Sequence, residues 1–330
     1  MSVAGRGGMG MSGSSAGVRL GLSACEGLGW VSDSAVVCKA AGGVVSGGAV
    51  GVVSAGVQRG SVSGLLSYDG PSVSCAGVSN VASSGSLSVT VVGRGGLGAS
   101  GASSRVRVGA TACSGSVWRS DSGVECRSAS GGSADRPVVV SCGQQQGSAS
   151  HLLSYDAPGV SSVGLSNAAS SGGVSVTVVG RGGMGSSDLS ARTRVGVSGC
   201  GASAWRSDSS VVSRGSGGMR GGLAVLVSCG LQRGSVSAAV SYDAPAVSSA
   251  GVSNVASSGG LSVSVAGRGG MGMSGSSAGV RLGLSACEGL GWVSDSAVVC
   301  KAAGGVVSGG AVGVVSAGVQ RGSVSGLLSY

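Results

Sequence analysis

The chain has 330 residues, 70 of them glycine, with a formal net charge of +9, 10 cysteines, one histidine and no phenylalanine. No stretch approaches the roughly 20 apolar residues of a membrane-spanning helix. The arginines stand singly on alternate strand positions and in turns, without a basic run or interleaved aromatics. The charge therefore reads as a solvated, mildly basic surface and not as a nucleic-acid groove, with acidic polysaccharide left open as a partner.

Ser2–Tyr68 recurs letter for letter as Ser264–Tyr330, a period of 262 residues. The only four tyrosines, Tyr68, Tyr155, Tyr242 and Tyr330, and the only four tryptophans, Trp30, Trp118, Trp205 and Trp292, divide that period into three units of about 87 residues. The units are 1–68, 69–155, 156–242 and 243–330, the first lacking its opening strand. Met1 aligns with Val263 inside a strand, so the chain is expected to start mid-unit, with any targeting segment outside it. Identity through the terminal Tyr330 reads as a window cut from a longer array. The competing reading is that a neighbouring chain supplies the missing strand.

So much glycine and serine looks at first like a disordered chain. The valines oppose that, because they alternate with polar residues at the period of half-buried strands. In the second unit the predicted strands, in order, are one just after Pro71, then Leu87–Val92, Arg105–Ala110, a short piece near Trp118, Gly123–Arg127, Pro137–Cys142 and Ala149–Tyr155. About seven short strands joined by Gly and Ser turns point to an immunoglobulin-like sandwich. The predicted fold is all-β. A core of Val, Leu and Ala buries less area per residue than one with aromatics, so each unit should be marginally stable alone.

The turns Ser83–Ser86, Ser170–Gly173 and Ser257–Gly260, the Gly-rich turn after the next strand, the string WVSDSAVVC at Trp30–Cys38, and the closing SYD with a following Pro resemble the IPT/TIG domains. The resemblance runs through every unit. It implies tandem immunoglobulin-like β-sandwiches. The family usually has Phe in the Gly-rich turn, where this chain has Met9, Leu97, Met184 and Met271; these fill similar space.

The spacing of 13 between Cys25 and Cys38, Cys113 and Cys126, and Cys287 and Cys300 matches a cysteine pair common in that family. Three disulfides and an oxidising, extracellular or cell-surface setting follow. Each would close a loop of about 14 residues and contribute roughly 3 kcal/mol in the chain-entropy model. In the third unit Cys200 faces Ser213 instead of a partner. Cys75 and Cys142 are expected to pair at one end of their sandwich. Cys200 and Cys229, at opposite ends of theirs, are left as free thiols or as partners for another chain.

GRGGMG at Gly5–Gly10 and its equivalents at Gly93, Gly180 and Gly267 fit G-x-G-x-x-G. No helix or acidic residue follows as a dinucleotide site requires, so they read as sandwich turns. His151 falls where Gly64, Ala238 and Gly326 stand and reads as a tolerated substitution. Asp33, Asp121, Asp208 and Asp295, and the junction residues Asp69, Asp156 and Asp243, read as turn residues bonding their own backbone. One carboxylate per junction is few for calcium, and no close Cys/His cluster suggests zinc. No catalytic, metal or cofactor set emerges, and the chain reads as a non-enzyme. There is no Asn-x-Ser/Thr sequon, while the serine-rich turns are open to O-linked glycans.

Tyr68, Asp69 and Pro71, then Tyr155, Asp156 and Pro158, then Tyr242, Asp243 and Pro245 join successive units almost without a linker. Pro restricts φ and its neighbour, so the units should stack end to end as a rod, at roughly 40 Å per unit. The expected function is a structural component of an extracellular fibre, self-associating through repeated surfaces. The alternative is an adhesin, a receptor stalk or a carbohydrate-binding array.

Overall fold

The computed structural model describes residues 1–330 except 13–15, 100–102, 187–190, 276–277, 307–308 and 317. Every regular element among them is a β-strand. The chain forms two compact units, Met1–Tyr155 and Asp156–Tyr330. Each holds two sandwiches built from paired antiparallel sheets.

The sandwich that ends at Tyr155 shows the plan. One sheet orders its strands Gly115–Ser120, Gly123–Arg127, Ser88–Gly95, Ser72–Ala76. The other runs Thr111–Ala112, Ser104–Val108, Arg136–Cys142, Gln145–Tyr155, Asn80–Val81. The last contact is parallel, with Asn80 beside Ser154 and Val81 beside Tyr155. Alternation drives this arrangement: Val89, Val91, Val106 and Val108 are buried, while Ser88, Thr90, Arg105 and Arg107 between them are exposed. Leu97 fills the core from the Gly-rich turn, as Met184 and Met271 do in the later sandwiches, all three with no exposed area.

The sandwich at residues 1–68 has three strands in its first sheet, Ser2–Ala4, Ala35–Lys39 and Gly27–Ser32. In the others a lead-in strand completes that sheet: Ser72–Ala76, Val160–Val163 or Val247–Ala250.

The final strand is longer than its apolar pattern suggests. It starts at Gln145, not Ala149, because Gly143 at φ 59° takes the first position of a tight hairpin turn. Within it, Arg136 faces Leu153 but Val138 faces Ala149, so extra residues bulge out. His151 sits in that bulge at φ 56°, as do Gly64 (75°), Ala238 (50°) and Gly326 (75°). The histidine thus occupies a left-handed position that two sandwiches give to glycine.

Cys25–Cys38, Cys113–Cys126 and Cys287–Cys300 are bonded. The expected Cys75–Cys142 bond is not present, and a bulge is the reason. Gly93 faces Val73 and Val92 faces Cys75, which leaves Ser74 as an extra residue. Val73 points inward, but the bulge reverses the alternation and turns Cys75 to the outer face. Cys142 lies in the opposite sheet, buried, with its thiol 3.4 Å from the Ser104 hydroxyl.

In the third sandwich Cys200 and Cys229 are unbonded. Burial raises the Cys200 thiol pKa, and burial followed by the nearby Asp208 charge pushes that of Cys229 up to about 11. Ser213, which replaces the second disulfide cysteine, is 1% exposed and donates to Thr193 Oγ1 at 2.7 Å, with Ser203 Oγ at 2.9 Å. Thr193 stands where the other sandwiches have Val18, Val106 and Val280. A chain of three hydroxyls therefore replaces the disulfide and leaves the buried serine satisfied.

Candidate functional site

Three recurring features converge where one sandwich hands the chain to the next: the Gly-rich loop, the segment that leads into each sandwich, and the closing tyrosine.

The Gly-rich loop does hold an anion, but the anion is internal. Gly8 N and Gly10 N donate to the Asp33 carboxylate at 3.2 Å, and Gly96 N donates to Asp121 Oδ1 at 3.1 Å. The backbone carbonyls of Asp33, Asp121, Asp208 and Asp295 accept from Met9, Leu97, Met184 and Met271 at 2.8 to 2.9 Å. These aspartates therefore cap a distant loop, in addition to any role in their own turns. Each tryptophan closes the same loop from the other side. Trp30, Trp118, Trp205 and Trp292 donate through Nε1 to Gly10, Gly98, Gly185 and Gly272 at 2.9 to 3.0 Å.

Loop and final strand together form a saddle for the lead-in segment. A Cβ on Gly147 would lie 1.9 Å from Pro71 O, one on Gly234 1.8 Å from Pro158 O, and one on Gly322 1.8 Å from Pro245 O. On the loop side, a Cβ on Gly96 would meet Gly70 O at 2.2 Å, with Gly183 and Gly270 equally close to Ala157 and Ala244. Backbone passing this near tolerates only glycine. The junction prolines are buried under the crossing, so Pro71, Pro158 and Pro245 are packing residues as well as stiffeners.

In the first sandwich the same glycines are open. Gly8 and Gly60 have nothing within 4 Å of a Cβ position. Val3, Met9, Val50 and Val62 line a groove of about 410 Å³ there. The matching residues Met271, Val312 and Val324 pack in the core of the last sandwich, which Val247 covers.

The tyrosines are the latch. A Cβ on Gly131 would stand 2.4 Å from the Tyr155 ring, and one on Gly43, Gly218 or Gly305 would stand 2.5, 2.3 or 2.8 Å from the ring of Tyr68, Tyr242 or Tyr330. Each hydroxyl donates to a backbone carbonyl: Tyr68 to Ala41, Tyr155 to Ala129, Tyr242 to Ser216 and Tyr330 to Ala303, at 2.8 to 3.3 Å. Burial raises the Tyr155 and Tyr242 phenol pKa values, which keeps these donors protonated.

A glutamine completes the junction. Gln145 Nε2 reaches back to Tyr68 O, and Gln320 Nε2 to Tyr242 O, each at 2.9 Å. Gln58, Gln145, Gln232 and Gln320 recur at the spacing of the tyrosines, a signal that the rarer aromatics overshadow. Asp243 accepts a hydrogen bond from the Asn167 side chain, and its own N–H donates to Ala168 O at 2.9 Å. Asp69 lines a cavity of about 390 Å³ with Tyr68, Trp118 and Asp121, and Asp156 opens the second compact unit. Among the described residues no three His, Cys, Asp or Glu side chains converge as metal ligands, and no helix is long and apolar enough to cross a membrane.

No family model matches the chain, and no curated protein matches it in sequence. Solved structures share the immunoglobulin-like sandwich architecture at low identity. The plexin A4 extracellular region is 14% identical over 94% of this chain and 34% of that one, with TM-score 0.29. The I9–I11 tandem of titin is 7% identical over 76% of this chain and 95% of its own, with TM-score 0.25. The surface glycan-binding protein PbSGBP-B from Prevotella bryantii is 15% identical over 52% and 42%, with TM-score 0.33. The chain thus spans about a third of the plexin region, and it is similar to these proteins as a tandem of immunoglobulin-like β-sandwiches.

Proposed function

We propose that this chain is a load-bearing segment of an extracellular or cell-surface fibre, built from four IPT/TIG-like units at 1–68, 69–155, 156–242 and 243–330. The observation that carries the reading is the recurring junction. The closing tyrosine is latched on its own sandwich, and its carbonyl is held by a glutamine of the next, at Tyr68–Gln145 and again at Tyr242–Gln320. Such a joint leaves little free linker, so tension on one sandwich passes through hydrogen-bonded backbone to the next. The disulfides of three sandwiches fit the same role and an oxidising setting.

Negative-stain electron microscopy and small-angle scattering of the 330-residue chain test this. An extended particle well over twice as long as it is wide, shortened or bent when Gln145 and Gln320 are both changed to alanine, supports the reading. A compact particle, or one indifferent to both substitutions, overturns it.

A further inference from the structure

The five-stranded sheet of the third sandwich carries three exposed arginines, Arg192, Arg194 and Arg233, on its outer face. Its strands are Ala168-bordered Gln232–Tyr242, Leu223–Cys229, Arg192–Val195 and the short Ser198–Gly199. Arg192 and Arg194 are exposed on alternate positions of one strand, with Thr193 between them facing the core. Arg192 pairs with Ser228, and Ser228 pairs with Arg233 on the next strand. Strand geometry then sets Arg192 about 7 Å from Arg194 along the strand and about 10 Å from Arg233 across the sheet. The three surround a shallow groove of about 470 Å³ floored by Leu226, Ser228 and Gly230.

No Asp or Glu occurs in any strand of this sheet, nor in the equivalent sheets of the other three sandwiches. The ion pairs Lys39–Glu26 and Arg119–Glu125 involve the opposite sheets. The same face of the second sandwich repeats the feature, with Arg105, Arg107 and Gln146 around a groove of about 660 Å³. Arginine is the side chain suited to bidentate recognition of carboxylate and sulfate groups.

We propose that this face binds an acidic polysaccharide, a chain bearing sulfate or uronate groups, with Arg192, Arg194 and Arg233 as its principal contacts. The absence of Trp or Tyr from the groove lining removes the stacking platform that single-stranded nucleic acid uses. The inference stands apart from the fibre reading, because the groove lies within one sandwich and needs no particular joint.

The test is titration of the full chain with heparin decasaccharide at about 0.15 M salt. Arg192→Gln/Arg194→Gln/Arg233→Gln is compared with Arg94→Gln/Arg181→Gln/Arg268→Gln, which removes the same charge from exposed positions of the Gly-rich loops. The expected result is saturable binding that the groove triple weakens by about tenfold or more, while the loop triple changes it only a few-fold. Single-stranded DNA of matched charge is expected to bind at least about tenfold more weakly than the oligosaccharide. No binding at that salt, equal losses in the two triples, or equal affinity for DNA would each overturn the proposal. Unchanged thermal unfolding of both triples confirms that losses arise from the groove.

Discussion

The identical copies Ser2–Tyr68 and Ser264–Tyr330 supply an internal control for the saddle, since one substitution meets two surroundings. In Gly322→Ala the new Cβ lies 1.8 Å from Pro245 O, whereas ordinary contact begins near 3.4 Å. The lead-in backbone must retreat by about 1.6 Å, which unseats the buried Pro245 and strains the pairing of Val247 with Gly267. Overpacking of this kind costs typically 1–3 kcal/mol, and the loss of edge pairing adds to it, for a total of about 3 kcal/mol. In Gly60→Ala the Cβ meets nothing within 4 Å. There the exchange of strand glycine for alanine stabilises by about 0.5–1 kcal/mol.

Hydrogen exchange read by mass spectrometry on the full chain separates the copies, because the added methyl group shifts the peptide that contains it away from its twin. Protection of Gln320–Leu328 should fall roughly 100-fold in Gly322→Ala, while that of Gln58–Leu66 should rise a few-fold in Gly60→Ala. Equal effects at the two positions would refute the saddle, showing that the lead-in segment moves aside without cost.

His151→Gly relieves a left-handed side chain worth about 1–2 kcal/mol, less the entropy glycine loses on folding. A net gain of about 0.5–1 kcal/mol is expected as slower exchange in Gln145–Tyr155, and Gly64→Ala should give the mirror-image loss. Ser213→Cys places a thiol opposite Cys200, and closing that loop should add up to about 3 kcal/mol under oxidising conditions. The Thr193 hydroxyl loses its buried partner, however, so the full gain should appear only with Thr193→Val, measured by denaturation with and without reductant. Iodoacetamide at pH 8 should modify the exposed Cys75 first. Cys229, with its thiol pKa pushed up to about 11, stays protonated below that pH and should react only as the third sandwich unfolds; mass mapping showing early Cys229 labelling would contradict its burial.

The strands were legible where valine alternates with polar residues, and Gly123–Arg127 is found with the boundaries read from sequence. Gln145-Gln-Gly-Ser was not legible as strand, because no apolar residue marks it and its order comes from the hairpin glycine and from crossing Pro71. The face of Cys75 was misread for a different reason. A period-2 pattern carries side-chain direction only while the register is unbroken, and the bulge at Ser74 breaks it. The tyrosines and prolines of the junction stood out by rarity. The glutamines did not, since a polar side chain that serves a carbonyl of the neighbouring sandwich looks from sequence like any exposed strand residue.

The Gly-rich loop shows why the resemblance to a nucleotide fingerprint and the departure from it have one cause. Both uses need converging N–H groups that only glycine backbone presents. In a nucleotide site the anion arrives from solution, and the loop must stay open on its outer side. Here the carboxylate of Asp33 or Asp121 already occupies the N–H groups, the tryptophan indole holds the loop shut, and in three sandwiches lead-in backbone lies across it. The glycines are therefore spent on letting one sandwich receive the chain from the last. In the first sandwich, too, Asp33 binds the loop N–H groups and the Trp30 indole donates to Gly10 O, so these two contacts are made within a single sandwich.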